Sequence, residues 1–187
     1  MSALQSGHGL GEGSSPIIYN VMNFAKPPAG EPALLSLDEA KTLFHEFGHA
    51  LHGMLTKVTW PSVAGTAVSR DWVELPSQLY EHWLTVPAIL EKHALHARTG
   101  KPMPKALLEK LLAARTFGAG FNTVEFASSA LVDMAYHERA EAPEEPLAFE
   151  AETLKQLAAP AVIPMRHRTP HFGHVFSGDG YSSGYYS

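Results

Sequence analysis

No cysteine occurs anywhere in the chain, and that absence removes two architectures at once. There can be no disulfide framework, and any metal must be held by imidazole and carboxylate rather than thiolate. Excess positive charge is missing too: Lys and Arg number 14 against 19 Asp and Glu, for a formal charge of −5. Basic residues are scattered rather than striped, so nothing marks a nucleic-acid partner. No apolar run approaches the roughly 20 residues that a membrane span needs. The opening "MSALQSGHGL" has neither the basic nor the apolar segment of a signal peptide. Internal repeats are absent. These absences lead to the expectation of a soluble, cytoplasmic protein that engages neither nucleic acid nor membrane. What is present is ordinary for a globular fold: 187 residues, 45% hydrophobic and 18% charged, enough for one domain with a real core.

Breakers and periodicities divide the chain. Residues 1–15 read as a Gly- and Ser-rich loop whose glycines match no phosphate-binding pattern. In 16–35, "PIIYNVMNF" has strand character and could offer an edge to an extended peptide, and "AKPPAGEPA" reads as a linker. Ser36 with Glu39 three residues on forms a capping box, so a helix is expected over 36–56, with Leu43, Phe47, Ala50 and Met54 at helical period. Residues 71–160 read as a helical core. Its first helix should run from about Asp71 towards Arg98 with bends near Pro76 and Pro87. A second covers "KALLEKLLAAR", and a third is marked by Phe117, Phe121, Val124, Ser128, Leu131 and Ala135. A short helix follows in "LAFEAETLKQLA". From 161 to 187 the chain is irregular and rich in His, Gly and Tyr. The fold class is mainly α with one small β element.

The chemistry concentrates in "LFHEFGHALHGML", residues 43–55. On a helix, positions four apart differ by ~40° in rotation and ~6 Å in rise. His45 and His49 can therefore aim ring nitrogens at one point, as two corners of a tetrahedral zinc site. Glu46 leaves the helix at another angle and can reach a metal-bound water without being a ligand, which is the mechanical content of H-E-x-x-H. His52 shares the face, but seven residues are ~10.5 Å along the axis, too far from a metal shared by the other two. The third ligand must come from another segment, and "RDWVELPSQLYEHW" offers both Glu74 and Glu81. Gln78 is a candidate to orient His45 or His49 through a hydrogen bond. His82, His93, His96, His137, His167 and His171 read as structural or exposed.

Four motifs in order, "TLFHEFGHALHGML", "GTAVSRDWVELPSQLYEHW", "LLAARTFGAGFNTVEFASSALVDMAYH" and "FGHVFSGDGYSSGYYS", make the chain resemble the thimet oligopeptidase family of zinc peptidases. Within that family it is similar to the bacterial peptidyl-dipeptidase and oligopeptidase A branch. The resemblance implies a zincin-type catalytic core built around the H-E-x-x-H helix, lacking the helical halves that flank it in longer members. It implies Zn2+ held by His45, His49 and Glu74, with Glu46 as general base. It also implies that His174, Tyr181 and Tyr185 border the substrate and that His174 and Tyr185 help stabilise the tetrahedral intermediate. The "GYSSGYYS" segment then reads as a mobile substrate loop, and the family's tyrosine pattern continues past Ser187. Short peptides are the implied substrates. Apolar faces left bare by the absent halves would favour self-association.

Overall fold

Helix formation starts where the sequence places a reciprocal cap. The Ser36 hydroxyl accepts the Glu39 N–H at 3.2 Å and the Glu39 carboxylate accepts the Ser36 N–H at 2.7 Å. The helix they begin, α1, runs Leu37–Met54. Of the apolar stripe that marks its period only Ala50 is covered: Leu43, Phe47 and Met54 are 37–43% exposed, and the buried residues are Gly48, Ala50 and Gly53. Small residues face inward because two other segments approach the α1 backbone closely.

The computed structural model describes residues 1–176 and 181–187. The Ser177–Gly180 part of the "VFSGDG" spacer lies outside the described residues. The chain is mainly helical and divides into two compact units, Met1–Ala113 and Ala114–Ser187.

In the first unit, β1 (Ser2–Gln5) pairs antiparallel with β2 (Ile17–Tyr19), matching Ser2 to Tyr19 and Ala3 to Ile18. This corrects the loop expected over 1–15. "SALQ" carries no strand signal of its own and takes its conformation from the partner. The strand expected across 16–24 is correspondingly shorter, ending where pairing with β1 ends. Ile18 of β2 lies over Gly53 of α1, where a Cβ would come within 2.7 Å of it.

The single long helix expected from Asp71 towards Arg98 is instead three short ones. They are α2 (Arg70–Val73), α3 (Leu75–Glu81) and α4 (Pro87–His93), with a 3-10 turn at His82–Thr85. Pro76 and Pro87 each occupy a first turn, the place where a missing N–H does no harm, so they restart helices rather than bend one. α5 (Lys105–Ala114) follows a turn through Gly100.

The second unit pairs α6 (Ala119–His137) with α7 (Pro146–Gln156) and ends in 3-10 turns at Thr169–His171 and Gly173–Phe176. On α6 the covered residues are Ser128, Ser129, Ala130, Val132 and Asp133, whereas Phe121 and Leu131 are exposed, and Phe117, expected to mark this helix, lies before its start and is exposed. Period alone does not say which face is covered. Here Met165, Val175 and Tyr185 from the irregular tail are buried, and that tail covers the small and polar side of the helix. Glu150 of α7, 3% exposed, is compensated by the Arg168 guanidinium and the Thr169 N–H, each at 2.9 Å.

Candidate metal centre

Glu74 sits at the junction where α2 stops and α3 begins. The junction turns its carboxylate towards α1, and the Ser77 hydroxyl, fully buried, lies 2.8 Å from both its Oε2 and its backbone carbonyl oxygen. α3 can come this close because residue 48 is glycine. A Cβ there would stand 2.6 Å from the Pro76 carbonyl oxygen and from Ser77 Cα.

At that contact three ligand atoms converge. Glu74 Oε2 lies 3.3 Å from His45 Nε2 and 3.2 Å from His49 Nε2. One atom from each of the three residues falls within 4.8 Å of the others. Tetrahedral coordination with bonds of ~2.0–2.2 Å requires ligand atoms roughly 3.2–3.5 Å apart. The donor set therefore fits a divalent ion. Glu74 is the carboxylate that converges with the two histidines, and Glu81, the other candidate, does something else.

Glu81 Oε1 is 2.8 Å from His45 Nδ1, and its Oε2 is 2.9 Å from Lys41 Nζ. An imidazole that donates from Nδ1 to a carboxylate keeps its lone pair on Nε2, the atom facing Glu74. For His45 this corrects the assignment of orientation to Gln78, which is exposed, whereas Glu81 meets the ring. The two differ by three residues, and only the packing angle of α3 on α1 decides which one meets His45. For His49, burial is the largest influence and depresses its pKa below the ordinary value against the pull of Glu74. The neutral ring is the form that ligates a metal.

Glu46 is partly buried, which pushes its carboxyl up, but the Met1 amine paired with it and the nearby His49 and His45 outweigh that and leave it below its ordinary value. His52 is not part of the donor set. It lines a cleft of about 700 Å³ together with Val63, Val68, Trp72, Leu75 and Pro76. The remaining expected residues belong to the second unit. There the His174 ring stacks on Phe172 at 4.8 Å and meets Tyr181 edge-on at 5.7 Å. Tyr185 is 8% exposed, packed against Phe126, and burial raises its pKa.

The model for peptidase family M3 matches residues 1–187. The chain belongs to peptidase family M3. Among M3 relatives it is 45% identical over 176 residues to the dipeptidyl carboxypeptidase of Escherichia coli strain K12, covering 92% of this chain and 26% of that protein. It is 44% identical over 177 residues to oligopeptidase A of the same organism, with the same shares. To the mitochondrial intermediate peptidase of Malassezia globosa it is 38% identical over 182 residues, 95% of this chain and 22% of that protein. The M3 chain described here thus spans about a quarter of the length of these curated relatives.

Sequence reasoning missed Gly48, Ser77 and the true role of Glu81. The first had a visible signal: a glycine inside a strongly capped helix lowers helix stability by ~1 kcal/mol and calls for a packing reason. Ser77 and Glu81 had none, because their partners lie 3 and 36 residues away on geometry that the sequence does not display.

Proposed function

We propose that this chain carries the zinc centre of a peptidase that hydrolyses short peptides, of peptidyl-dipeptidase or oligopeptidase type. The observation that supports it most directly is the convergence of His45, His49 and Glu74, with Glu74 Oε2 3.3 and 3.2 Å from the two Nε2 atoms and one ligand atom of each residue within 4.8 Å of the others. The substrate class rests on the names of relatives, dipeptidyl carboxypeptidase and oligopeptidase A. Zinc, when bound, supplies Lewis acidity that brings a water at the site to a pKa near ~7.

The protein's own groups do the rest. Glu81 and Lys41 hold His45 in the ligating tautomer, and Ser77 holds Glu74. Glu46 takes the proton of the attacking water and returns it to the leaving amine, a role that its place next to His45 on α1, outside the converging donor set, suits. We assign His174 and Tyr185 the donation of hydrogen bonds to the developing oxyanion, and Tyr181 a contact with substrate. The cleft beside His52, with apolar walls, suits a substrate side chain.

A second reading, a chain that binds zinc or peptide but turns over weakly, draws on one fact: about three quarters of each relative's length has no counterpart here. One experiment separates the two. Glu46→Gln should keep one zinc per chain while hydrolysis of a short quenched peptide falls by ~10²–10⁴-fold. Normal hydrolysis by that variant would remove Glu46 as the base. Wild-type chain that binds zinc without turnover would favour the second reading, and absence of stoichiometric zinc would end the first and leave the second only as peptide binding.

A further inference from the structure

Asp133 stands in the middle of α6 and is 3% exposed. Neither helix propensity nor desolvation favours a carboxylate there, so its presence requires compensation from elsewhere. Two backbone donors provide it. The Ser183 N–H donates to Oδ1 at 3.2 Å and the Tyr185 N–H donates to Oδ2 at 3.1 Å, from 50 and 52 residues away. One turn along α6, His137 Nδ1 lies 2.9 Å from Oδ1 while hydrogen-bonding to the Asp133 backbone carbonyl at 2.8 Å. The segment held this way is bent through Ser183 at φ +56°, a left-handed conformation that L side chains enter only at a cost. Between the two anchored amides the chain turns so that the Tyr185 ring packs against Phe126 at 5.2 Å and Phe172 at 5.6 Å. Tyr181 joins the same cluster through Phe172.

We propose that Asp133 is a positioning residue, whose carboxylate fixes the backbone of Ser183 and Tyr185 and thereby sets where the phenols of this segment stand. It acts through the backbone and touches no substrate. The anchoring stands on the hydrogen bonds alone. Its consequence for catalysis rests on the proposed peptidase function, in which Tyr181 and Tyr185 face the substrate.

Asp133→Asn in the full chain tests it. The amide retains one acceptor but turns N–H donors towards the second backbone N–H, so one anchor is lost. Amide exchange in a peptide covering residues 181–187, followed by mass spectrometry, should accelerate by about tenfold or more while α1 exchanges as before. In an alkaline absorbance titration, the tyrosine that ionises late through burial should return to the ordinary range. With zinc content unchanged, kcat on a short quenched peptide should fall about tenfold with KM moving less than about threefold. Should Asp133→Asn fail to fold, Ser183→Pro attacks the same contact from the tail, removing the N–H and forbidding the left-handed turn.

Unchanged exchange and titration in the folded variants would overturn the anchor. A loosened segment with unchanged kcat would overturn the positioning role. A wild-type chain without hydrolysis would defeat the peptidase reading and the catalytic consequence with it, while exchange would still decide the anchor.

Discussion

Glu81 is the residue whose neighbourhood changes its meaning most. As a carboxylate on the neighbouring segment it competes with Glu74 for the metal, but its oxygens are already committed to His45 Nδ1 and Lys41 Nζ. Replacing it by Gln keeps the shape and removes the charge that favours a proton on Nδ1. Zinc affinity of Glu81→Gln should therefore fall by ~10–100-fold, measured by competition with a chromogenic chelator. Gln78→Ala, whose side chain is exposed, should leave that affinity unchanged. Equal losses for the two variants would show that the brace is misassigned. At this scale the sequence displayed the pair of imidazoles, because His45 and His49 are linked by helix geometry alone. It could not display the brace, which depends on where another helix lands.

Two elements make the centre, and both rely on backbone contacts. α1 owes its start to the reciprocal cap, and Ser36→Ala should lower thermal stability by ~1 kcal/mol, read from the melting temperature. The contact of α1 with α3 depends on a missing side chain. In Gly48→Ala the new methyl would meet the Pro76 carbonyl and Ser77 Cα, which are backbone and cannot swing aside. The expected cost is ~1–3 kcal/mol, with weakened zinc binding because the Glu74 junction must retreat from the histidines. A variant with wild-type melting and full zinc affinity would refute that account. Helix α1 was legible from its cap and period. The break that makes α2 and α3 was visible only as a proline, and a proline in a first turn and one at a kink look the same in sequence. β1 was illegible because "SALQ" is a strand only when β2 is beside it.

For the first unit as a body, the notable feature is uncovered apolar surface. Leu43, Phe47 and Met54 on α1, and Trp72, Leu75, Leu79 and Trp83 on the segment from α2 through the 3-10 turn after α3, are all substantially exposed. Single exposed apolar residues are normal, but stripes on two packed helices exceed what a monomer usually leaves bare. The chain is expected to associate with itself in a concentration-dependent way. Sedimentation should show it, and Leu79→Lys combined with Trp83→Lys should weaken it. A monodisperse monomer at high concentration would contradict this. Among the described residues, no helix is long and apolar enough to cross a membrane, so these stripes are not a span.

Taken alone, the sequence determined the things that local geometry decides: the capped helix, the pair of imidazoles one turn apart, the carboxylate of Glu46 between them and the absence of thiolate alternatives. Each depends on spacing along one element, which a linear chain states outright. Tertiary structure decided what depends on approach between elements. It chose Glu74 over Glu81 as the carboxylate that converges with the two imidazoles, gave Glu81 to His45, put glycine rather than leucine at the helix contact, and buried Asp133 beneath the amides of Ser183 and Tyr185. Those outcomes turn on distances of a few ångströms between segments dozens of residues apart, and no periodicity in the chain encodes them.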